Sequence, residues 1–142
     1  MFHFAGHAVA SVQHSGLVLA EMDPKTATTR LVTGENISLQ DVSNLQLAVL
    51  SACSTGIEAQ NNRPGTEGLT NALLRAGVPH VIVTRWNVDS AETANFMKSF
   101  YASLLAGNVP ARALRAARAT LVSRPASTHP YFWSAFVLHG TS

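Results

Sequence analysis

The sequence has 142 residues, of which 46% are hydrophobic and 13% charged, and its formal net charge at pH 7 is +2. This length fits one domain with one core, and the small charge, without a basic patch interleaved with aromatic residues, argues against nucleic-acid binding. The single cysteine excludes an internal disulfide, and neither a leader nor a run of about 18 apolar residues occurs, so we expect a cytoplasmic protein without a membrane partner.

The first elements are short strands. Residues 2–5 predict an apolar strand that ends at Gly6 and His7. The stretches "GLVLAEM" and "TTRLVTG" predict a hairpin, because Pro24 in the intervening "DPKT" presets the dihedral angle of a turn.

The next segment predicts a short helix followed by a buried strand. In "SLQDVSN", Ser38 as N-cap and Asp41 at the third helical position resemble a capping box. The stretch "LQLAVLSAC" is a continuous apolar run, which is typical of a strand buried on both faces, and Cys53 closes it. The polar stretch "IEAQNNRPGTEG" that follows predicts an exposed loop.

Helices and strands alternate in the second half. The stretch "LTNALLRAG" predicts a helix stopped by Gly77, and "PHVIVTRW" predicts a second buried strand. Asn108 and Pro110 are predicted to begin another helix, and "YFWSAFVLHG" a last strand. Between them, a long helix from Asp89 to about Leu105 is predicted to place on one face Ala94, Met97, Tyr101 and Leu104. This alternation indicates an α/β architecture with a mostly parallel sheet.

Two chemically capable residues each follow a predicted buried strand, His7 the first and Cys53 the later one. If the two strands are parallel neighbours, both residues lie at the same edge of the sheet, where ligands of open parallel sheets bind. An imidazole beside a thiol takes its proton or stabilises the thiolate, which is the nucleophile. The small residues Gly6 and Ala8 leave room for a substrate, and backbone N–H groups there can stabilise an oxyanion.

Each of the two residues also has an ordinary explanation. A free cysteine at the end of a buried strand is most often a small core residue, and a histidine near a strand end is most often a polar group with a local partner. Their joint placement at strand ends makes a catalytic dyad about as plausible as two unrelated buried residues.

The chain carries six blocks in one order: "HFAGHA", "SGLVLA", "LAVLSACSTG", "GTEGLTNALLRAG", "VIVTRWNVDSAETANFMKSFYASLLAG" and "HPYFWSAFVLHG". Together they resemble the CHAT family, which are caspase-related bacterial domains often fused to tetratricopeptide repeats. The resemblance implies a caspase-like three-layer α/β fold and peptide-bond hydrolysis by a Cys-His dyad, without metal or cofactor. It also implies that the catalytic histidine is His7 and the nucleophile Cys53.

The chain departs from the family pattern at two places. Many relatives have glycine after the histidine, where this chain has Ala8, although its backbone N–H remains for an oxyanion role. Caspase-like domains also place two further strands before the histidine strand. We therefore expect residues 1–142 to form one N-terminally incomplete domain, whose open sheet edge pairs with a missing N-terminal segment or a tetratricopeptide-repeat protein.

Three further residues are candidate substrate contacts. Asp89 belongs to the family's W-x-V-D stretch and is a candidate for a pocket that takes a basic side chain, but Asp89 followed by Glu92 also fits a capping box. Trp86 either walls the cleft or packs in the core, and Ser15 either touches substrate or forms a turn. No metal site is expected, because the histidines form no cluster with ligand spacing.

The sequence thus predicts a bacterial cysteine endopeptidase in signalling or regulated proteolysis, acting on a protein or peptide. Two other classes remain open. One is a catalytically inactive protein-interaction module with the same fold, which an unreactive thiol would indicate. The other is a Cys-His acyltransferase or amidase, which would act on small molecules rather than peptides.

Overall fold

The computed structural model describes residues 1–10, 15–20, 28–52 and 66–140. The chain divides into two compact units, the first made of Met1–Trp86 with His139–Ser142 and the second of Asn87–Leu138. Within the described ranges, no helix has the length and apolar character that a membrane span needs.

The elements are, in chain order, β1 (Phe2–Gly6), β2 (Ala8–Ala10), β3 (Ser15–Ala20), β4 (Thr29–Thr33), α1 (Gly34–Ser38), β5 (Ala48–Ala52), α2 (Thr66–Arg75), β6 (His80–Thr84), α3 (Ser90–Leu105), α4 (Pro110–Val122), α5 (Pro130–Trp133) and β7 (Phe136–Gly140). One turn of 3-10 helix, Pro125–Ser127, follows α4.

The mostly parallel sheet has four strands in the order β1-β5-β6-β7. Strands β1, β5 and β6 belong to the first unit, as do the last two residues of β7, His139 and Gly140. Strand β5 pairs in parallel with both β1 and β6. Consecutive residues of β5 and β6 are almost fully buried, and successive side chains of a strand point to opposite faces. Both strands are therefore covered on both faces, which confirms the prediction of two buried strands. The parallel pairs also confirm the predicted α/β fold with a mostly parallel sheet.

A second sheet, of order β2-β3-β4, is antiparallel. Strands β3 and β4 pair from Gly16 with Thr33 to Ala20 with Thr29, so the predicted hairpin is confirmed, while its "DPKT" turn lies outside the described residues. Gly16 is required at its position, because a Cβ atom there would lie 2.6 Å from the carbonyl oxygen of Val32.

The first helix lies earlier in the chain than predicted. Helix α1 ends at Ser38 instead of beginning there, since Thr33 is the N-cap and forms a capping box with Asn36. Asp41 takes part in no helix and accepts hydrogen bonds from the N–H and hydroxyl of Ser43. The sequence offers two capping patterns in succession, and the chain uses the first one.

Helix α2 begins at Thr66, inside the stretch predicted as a loop, and the remainder of that loop lies outside the described residues. The helix ends as predicted, because Gly77 takes a φ of +96° and the N–H of Val78 closes the end on the carbonyl of Leu73. Helices α1 and α2 meet closely, since a Cβ atom on Gly34 would lie 3.2 Å from the carbonyl oxygen of Gly68.

An apolar cavity of about 270 Å³ lies within the first unit. Strand β1 borders it with Phe2 and Phe4, β3 with Leu19, β4 with Val32 and α2 with Leu73. The packing of the first unit is therefore dense along β5 and β6 and open beside β1.

The second unit is a helical hairpin with an aromatic core. Phe96 and Phe100 of α3 are fully buried, and the ring of Phe96 stacks on that of Phe136 at a centroid distance of 3.7 Å. The predicted face of α3 was wrong in part, because Ala94 is exposed, although Met97 is buried as predicted. The packing of Phe136 against α3 decides which face is buried.

The remaining predictions for the second unit hold in part. Pro110 begins α4 as predicted, but Asn108 takes no part in the cap and donates its amide to Ser103. The stretch predicted as one last strand divides into α5 and β7, since His129 caps a short helix by accepting from the N–H of Tyr131.

Candidate functional site

The candidate site lies at the carboxyl edge of the parallel sheet. Strands β1 and β5 pair along their whole length, and the last pair joins Gly6 to Ala52. His7 directly follows the first of these residues, and Cys53 directly follows the second. The prediction that the two strands are parallel neighbours is confirmed.

His7 lies where the chain leaves one sheet and enters the other. It is the single residue between β1 and β2, and its side chain is exposed. Its carbonyl oxygen accepts a hydrogen bond of 2.9 Å from the N–H of Val18 on β3. The backbone of His7 is therefore held by both sheets, while its imidazole remains accessible.

The backbone on either side of His7 has distinct properties. A Cβ atom on Gly6 would lie 2.8 Å from the ring of Phe4, so the glycine allows that ring to pack closely. Ala8 pairs with Leu17 on β3. The N–H of Val18 donates to the carbonyl oxygen of His7, and because hydrogen-bonded and non-hydrogen-bonded pairs alternate along an antiparallel ladder, Ala8 and Leu17 form a non-hydrogen-bonded pair. The N–H of Ala8 therefore points away from β3, towards the open edge of the antiparallel sheet.

The predicted nucleophile lies outside the described residues. The residue before it, Ala52, is buried at the end of β5 and pairs with Gly6. The role of Cys53 stays a prediction that rests on this neighbouring pair.

Trp86 lies near the same edge. Strand β6 ends at Thr84, whose hydroxyl donates to the carbonyl oxygen of Leu50 on β5. Arg85 and Trp86 follow, and the guanidinium carbon of Arg85 lies 5.6 Å from the centroid of the Trp86 ring, within the range of a cation–π contact. Sequence reasoning missed Arg85, although a charged residue directly after an apolar strand is a recognisable signal.

The other two predicted substrate contacts are not brought to His7 by this sheet. Ser15 begins β3 and pairs with Ala10. Asp89 belongs to the second unit and is the N-cap of α3, where its Oδ1 accepts from the N–H groups of Ala91 and Glu92. The capping explanation of Asp89 therefore describes its local geometry, while its contact with substrate stays a prediction.

The buried carboxylate of Glu92 has its own partner. Its Oε2 lies 3.4 Å from Nε of Arg124, without the alignment of a hydrogen bond, and its Oε1 accepts from Nη2 at 3.5 Å. This pair joins the start of α3 to the segment after α4 within the second unit. Glu92 therefore does not form the reciprocal half of the predicted capping box.

Burial shifts the ionisation of two ring side chains, one in each unit. Partial burial of the imidazole lowers the pKa of His3 on β1 below its ordinary value. Burial raises the pKa of Tyr101 on α3. Over the ranges that the structure describes, no group of three or more His, Cys, Asp or Glu side chains is arranged to hold a metal ion.

Comparison with known proteins gives both a family and relatives. The model of the CHAT domain matches residues 1–141. Tetratricopeptide repeat protein 28 of Homo sapiens is 34% identical over 108 residues, which are 74% of this chain, and its Mus musculus counterpart is 32% identical over the same length. This chain spans only 4% of the length of either relative.

These comparisons bear on the earlier predictions. Both relatives are tetratricopeptide repeat proteins, which agrees with the predicted association with such repeats. Both are mammalian, so the bacterial setting stays a prediction. The family match covers nearly the whole chain and agrees with the resemblance of the six sequence blocks and with the parallel α/β sheet, and the chain therefore belongs to the CHAT domain family of caspase-like peptidases.

Proposed function

We propose that the chain is a cysteine endopeptidase domain in which His7 and Cys53 act together. The parallel pair of Gly6 with Ala52 is the observation that carries this proposal, because each candidate is the next residue in the chain. Neighbouring strands lie about 4.8 Å apart, so the two residues that directly precede His7 and Cys53 are close together. The partner on this proposal is a protein or peptide substrate.

The alternation of side chains supports the same pairing. Paired residues of parallel strands point to the same face, and successive residues point to opposite faces. Phe4 pairs with Leu50 and Ala5 with Ser51, so the last paired residues, Gly6 and Ala52, also share a face. The two strands therefore end in the same orientation directly before His7 and Cys53 in the chain.

The proposed reaction needs only these two side chains and backbone donors. The imidazole of His7 takes the proton of the Cys53 thiol, and the thiolate forms a C–S bond to the scissile carbonyl carbon. The imidazolium then donates this proton to the leaving amine as the C–N bond breaks, which leaves a thioester. Water, deprotonated by His7, attacks the thioester, and the carboxylic acid and free thiol are released.

A backbone donor is available for the intermediate. The negative oxygen that forms during each attack is stabilised by N–H groups, and loss of one side-chain donor in such a site has cost about 3 kcal/mol elsewhere. The N–H of Ala8 is a candidate because it points away from the β2–β3 ladder. The alanine side chain does not alter this donor.

The test compares three variants of the full chain on fluorogenic peptide libraries. Cys53→Ala and His7→Gln are expected to abolish cleavage, with circular dichroism spectra unchanged. His3→Gln is the matched control, because His3 lies on the same strand but not at its end. Iodoacetamide at pH 6 is expected to modify the wild-type thiol quickly and the thiol of His7→Gln slowly.

Three results would contradict the proposal. Cleavage that survives Cys53→Ala removes this residue from the mechanism. A thiol that alkylates equally slowly in wild type and His7→Gln indicates a binding module without catalysis. Turnover of small amides but of no peptide indicates an amidase or acyltransferase.

A further inference from the structure

The residues that follow β6 place a cation at the same edge of the sheet as His7. Arg85 is exposed, and its guanidinium lies over the ring of Trp86 at 5.6 Å. No carboxylate of the described residues forms an ion pair with it. The ring therefore supports the guanidinium, whose charge no carboxylate of the described ranges neutralises.

The pairing of the strands locates Arg85 relative to β5 and β1. Strand β6 pairs with β5 up to Leu50 with Val83 and ends at Thr84, directly before Arg85. On its other side, β5 pairs with β1 up to Ala52 with Gly6. Arg85 therefore begins at the same carboxyl edge of the sheet, two strands from β1 in the strand order.

The two residues after β6 leave the sheet in a bend. The parallel pairs of β5 with β1 and with β6 bring the carboxyl ends of all three strands to one edge of the sheet. His7 directly follows β1 at this edge, and Arg85 directly follows β6. The cation and the imidazole therefore follow strand ends at one edge, where a single bound chain can contact both.

A guanidinium supported in this way suits a carboxylate. Its planar fork donates two parallel hydrogen bonds to the two oxygens, and stacking on an aromatic face limits the rotamer freedom that binding would otherwise remove. An amide of the same shape lacks the charge and one acceptor, so the site discriminates between the two.

The acidic residue that the sequence suggested for substrate selection has local partners in the second unit. Asp89 was the sequence candidate for selecting a basic substrate, but its Oδ1 accepts two backbone N–H groups at the start of α3. The helix N-terminus partly compensates its charge. The cation of Arg85 has no such compensation among the described residues.

We infer that Arg85, supported by Trp86, is a specificity residue that selects an acidic side chain close to the scissile bond of the substrate. This inference rests on the proposed endopeptidase function and names its substrate class. It reverses the preference for a basic side chain that Asp89 suggested.

The test measures binding separately from catalysis. Acetylated octapeptide libraries, matched in pairs with Glu or Gln at one scanned position, are titrated against the full chain carrying Cys53→Ala. At one position we expect the Glu peptide to bind about tenfold more tightly than the Gln peptide, as for a charged hydrogen-bonded pair. Adding Arg85→Gln is expected to reduce this ratio to below about twofold, and adding Arg85→Lys to leave an intermediate ratio.

Arg75→Gln is the matched control. It removes the same charge from an exposed arginine at the end of α2, before β6 begins, so the ratio is expected to stay about tenfold. Circular dichroism of each variant excludes a loss of folding.

The outcomes separate this inference from the proposed function. Equal affinity for Glu and Gln peptides at every position, a preference that survives Arg85→Gln, or no binding at all overturns the inference. Cleavage by wild type without an acidic preference leaves the endopeptidase intact and removes the role of Arg85. An Arg85-dependent preference without cleavage leaves an acidic-peptide binding site and removes the catalysis.

Discussion

The centre of the parallel sheet and the border of the cavity are two regions of the same unit with opposite packing. Leu50 on β5 is 1% exposed, whereas Leu19 on β3, which borders the cavity, is 40% exposed. Phe2, also on the border, is 38% exposed. The two regions meet at the β1–β5 pair, because β1 borders the cavity and β5 lies at the centre.

This difference separates the two halves of the proposed dyad. The strand that leads to Cys53 is held on both faces by buried side chains, so its end has little freedom to move. The strand that leads to His7 is an edge strand with open space beside Phe2 and Phe4. The packing thus fixes the position of the nucleophile strand more firmly than that of the histidine strand.

The largest expected effect tests this contrast with one chemical change at two places. Leu50→Ala is expected to lower the free energy of unfolding by about 3 kcal/mol, since it leaves a cavity in a region that cannot collapse. Leu19→Ala is expected to cost only about 1 kcal/mol, because much of that side chain is already in contact with solvent or empty space. Urea unfolding followed by tryptophan fluorescence measures both values.

Equal losses in the two variants would show that the cavity border is as tightly packed as the centre. A changed slope of the unfolding transition in either variant would assign the effect to the unfolded chain.

The strands of both regions follow from the sequence because their signal is local. The apolar runs that end at Ala52 and Thr84 predict strands buried on both faces, and both are found. Helix α1 was misplaced because the capping patterns at Thr33 and at Ser38 are similar in sequence, and the single apolar residue that α1 buries, Ile37, gives little periodic signal. The prediction of the buried face of α3 was wrong in part, because the ring of Phe136, which is distant in the chain, stacks on that of Phe96.

The candidate site was predictable to the level of its strands but not of its register. Sequence reasoning placed His7 after one buried strand and Cys53 after another, but the first part was wrong, because β1 ends the strand order and only Phe4 of its five residues is buried. Only the pairing of Gly6 with Ala52 brings the two strand ends level, and a shift by one residue would turn the side chains of one strand to the opposite face. The contact of Arg85 with Trp86 also depends on a bend after β6, which apolar periodicity does not encode.

A second pair of variants adds one methylene to each region. Val32→Ile extends a side chain into the cavity and is expected to raise the free energy of unfolding by up to about 0.8 kcal/mol, the value of one buried methylene. Val81→Ile puts the same group into a fully buried position of β6 and is expected to lower it by about 1–3 kcal/mol through overpacking. Opposite signs in urea unfolding support the contrast, and the same sign in both variants contradicts it.

The smallest effect is a pH dependence in two separate windows, which arises at two residues that neighbour cavity-lining residues in the chain. Burial lowers the pKa of His3 on β1 from 6.5, so the unfolded chain binds more protons just below this value, and stability is lost as the pH falls below about 6.5. Hydrogen bonds from Ser43 lower the pKa of Asp41 from 3.8, so its contribution persists above this value and is lost as the pH falls through the lower folded pKa.

One variant alters the pH-dependent contribution of His3 and the other that of Asp41, so each variant is the control for the other. His3→Gln is expected to flatten the pH dependence of the unfolding free energy just below pH 6.5. Ser43→Ala is expected to lower the unfolding free energy above about pH 4 and to flatten its pH dependence below that value. Urea unfolding at a series of pH values measures both windows. A slope near pH 6 that is unchanged in His3→Gln would show that the open border of β1 hydrates this imidazole as fully as the unfolded chain does, and that the strand leading to His7 is looser still than its neighbour β5.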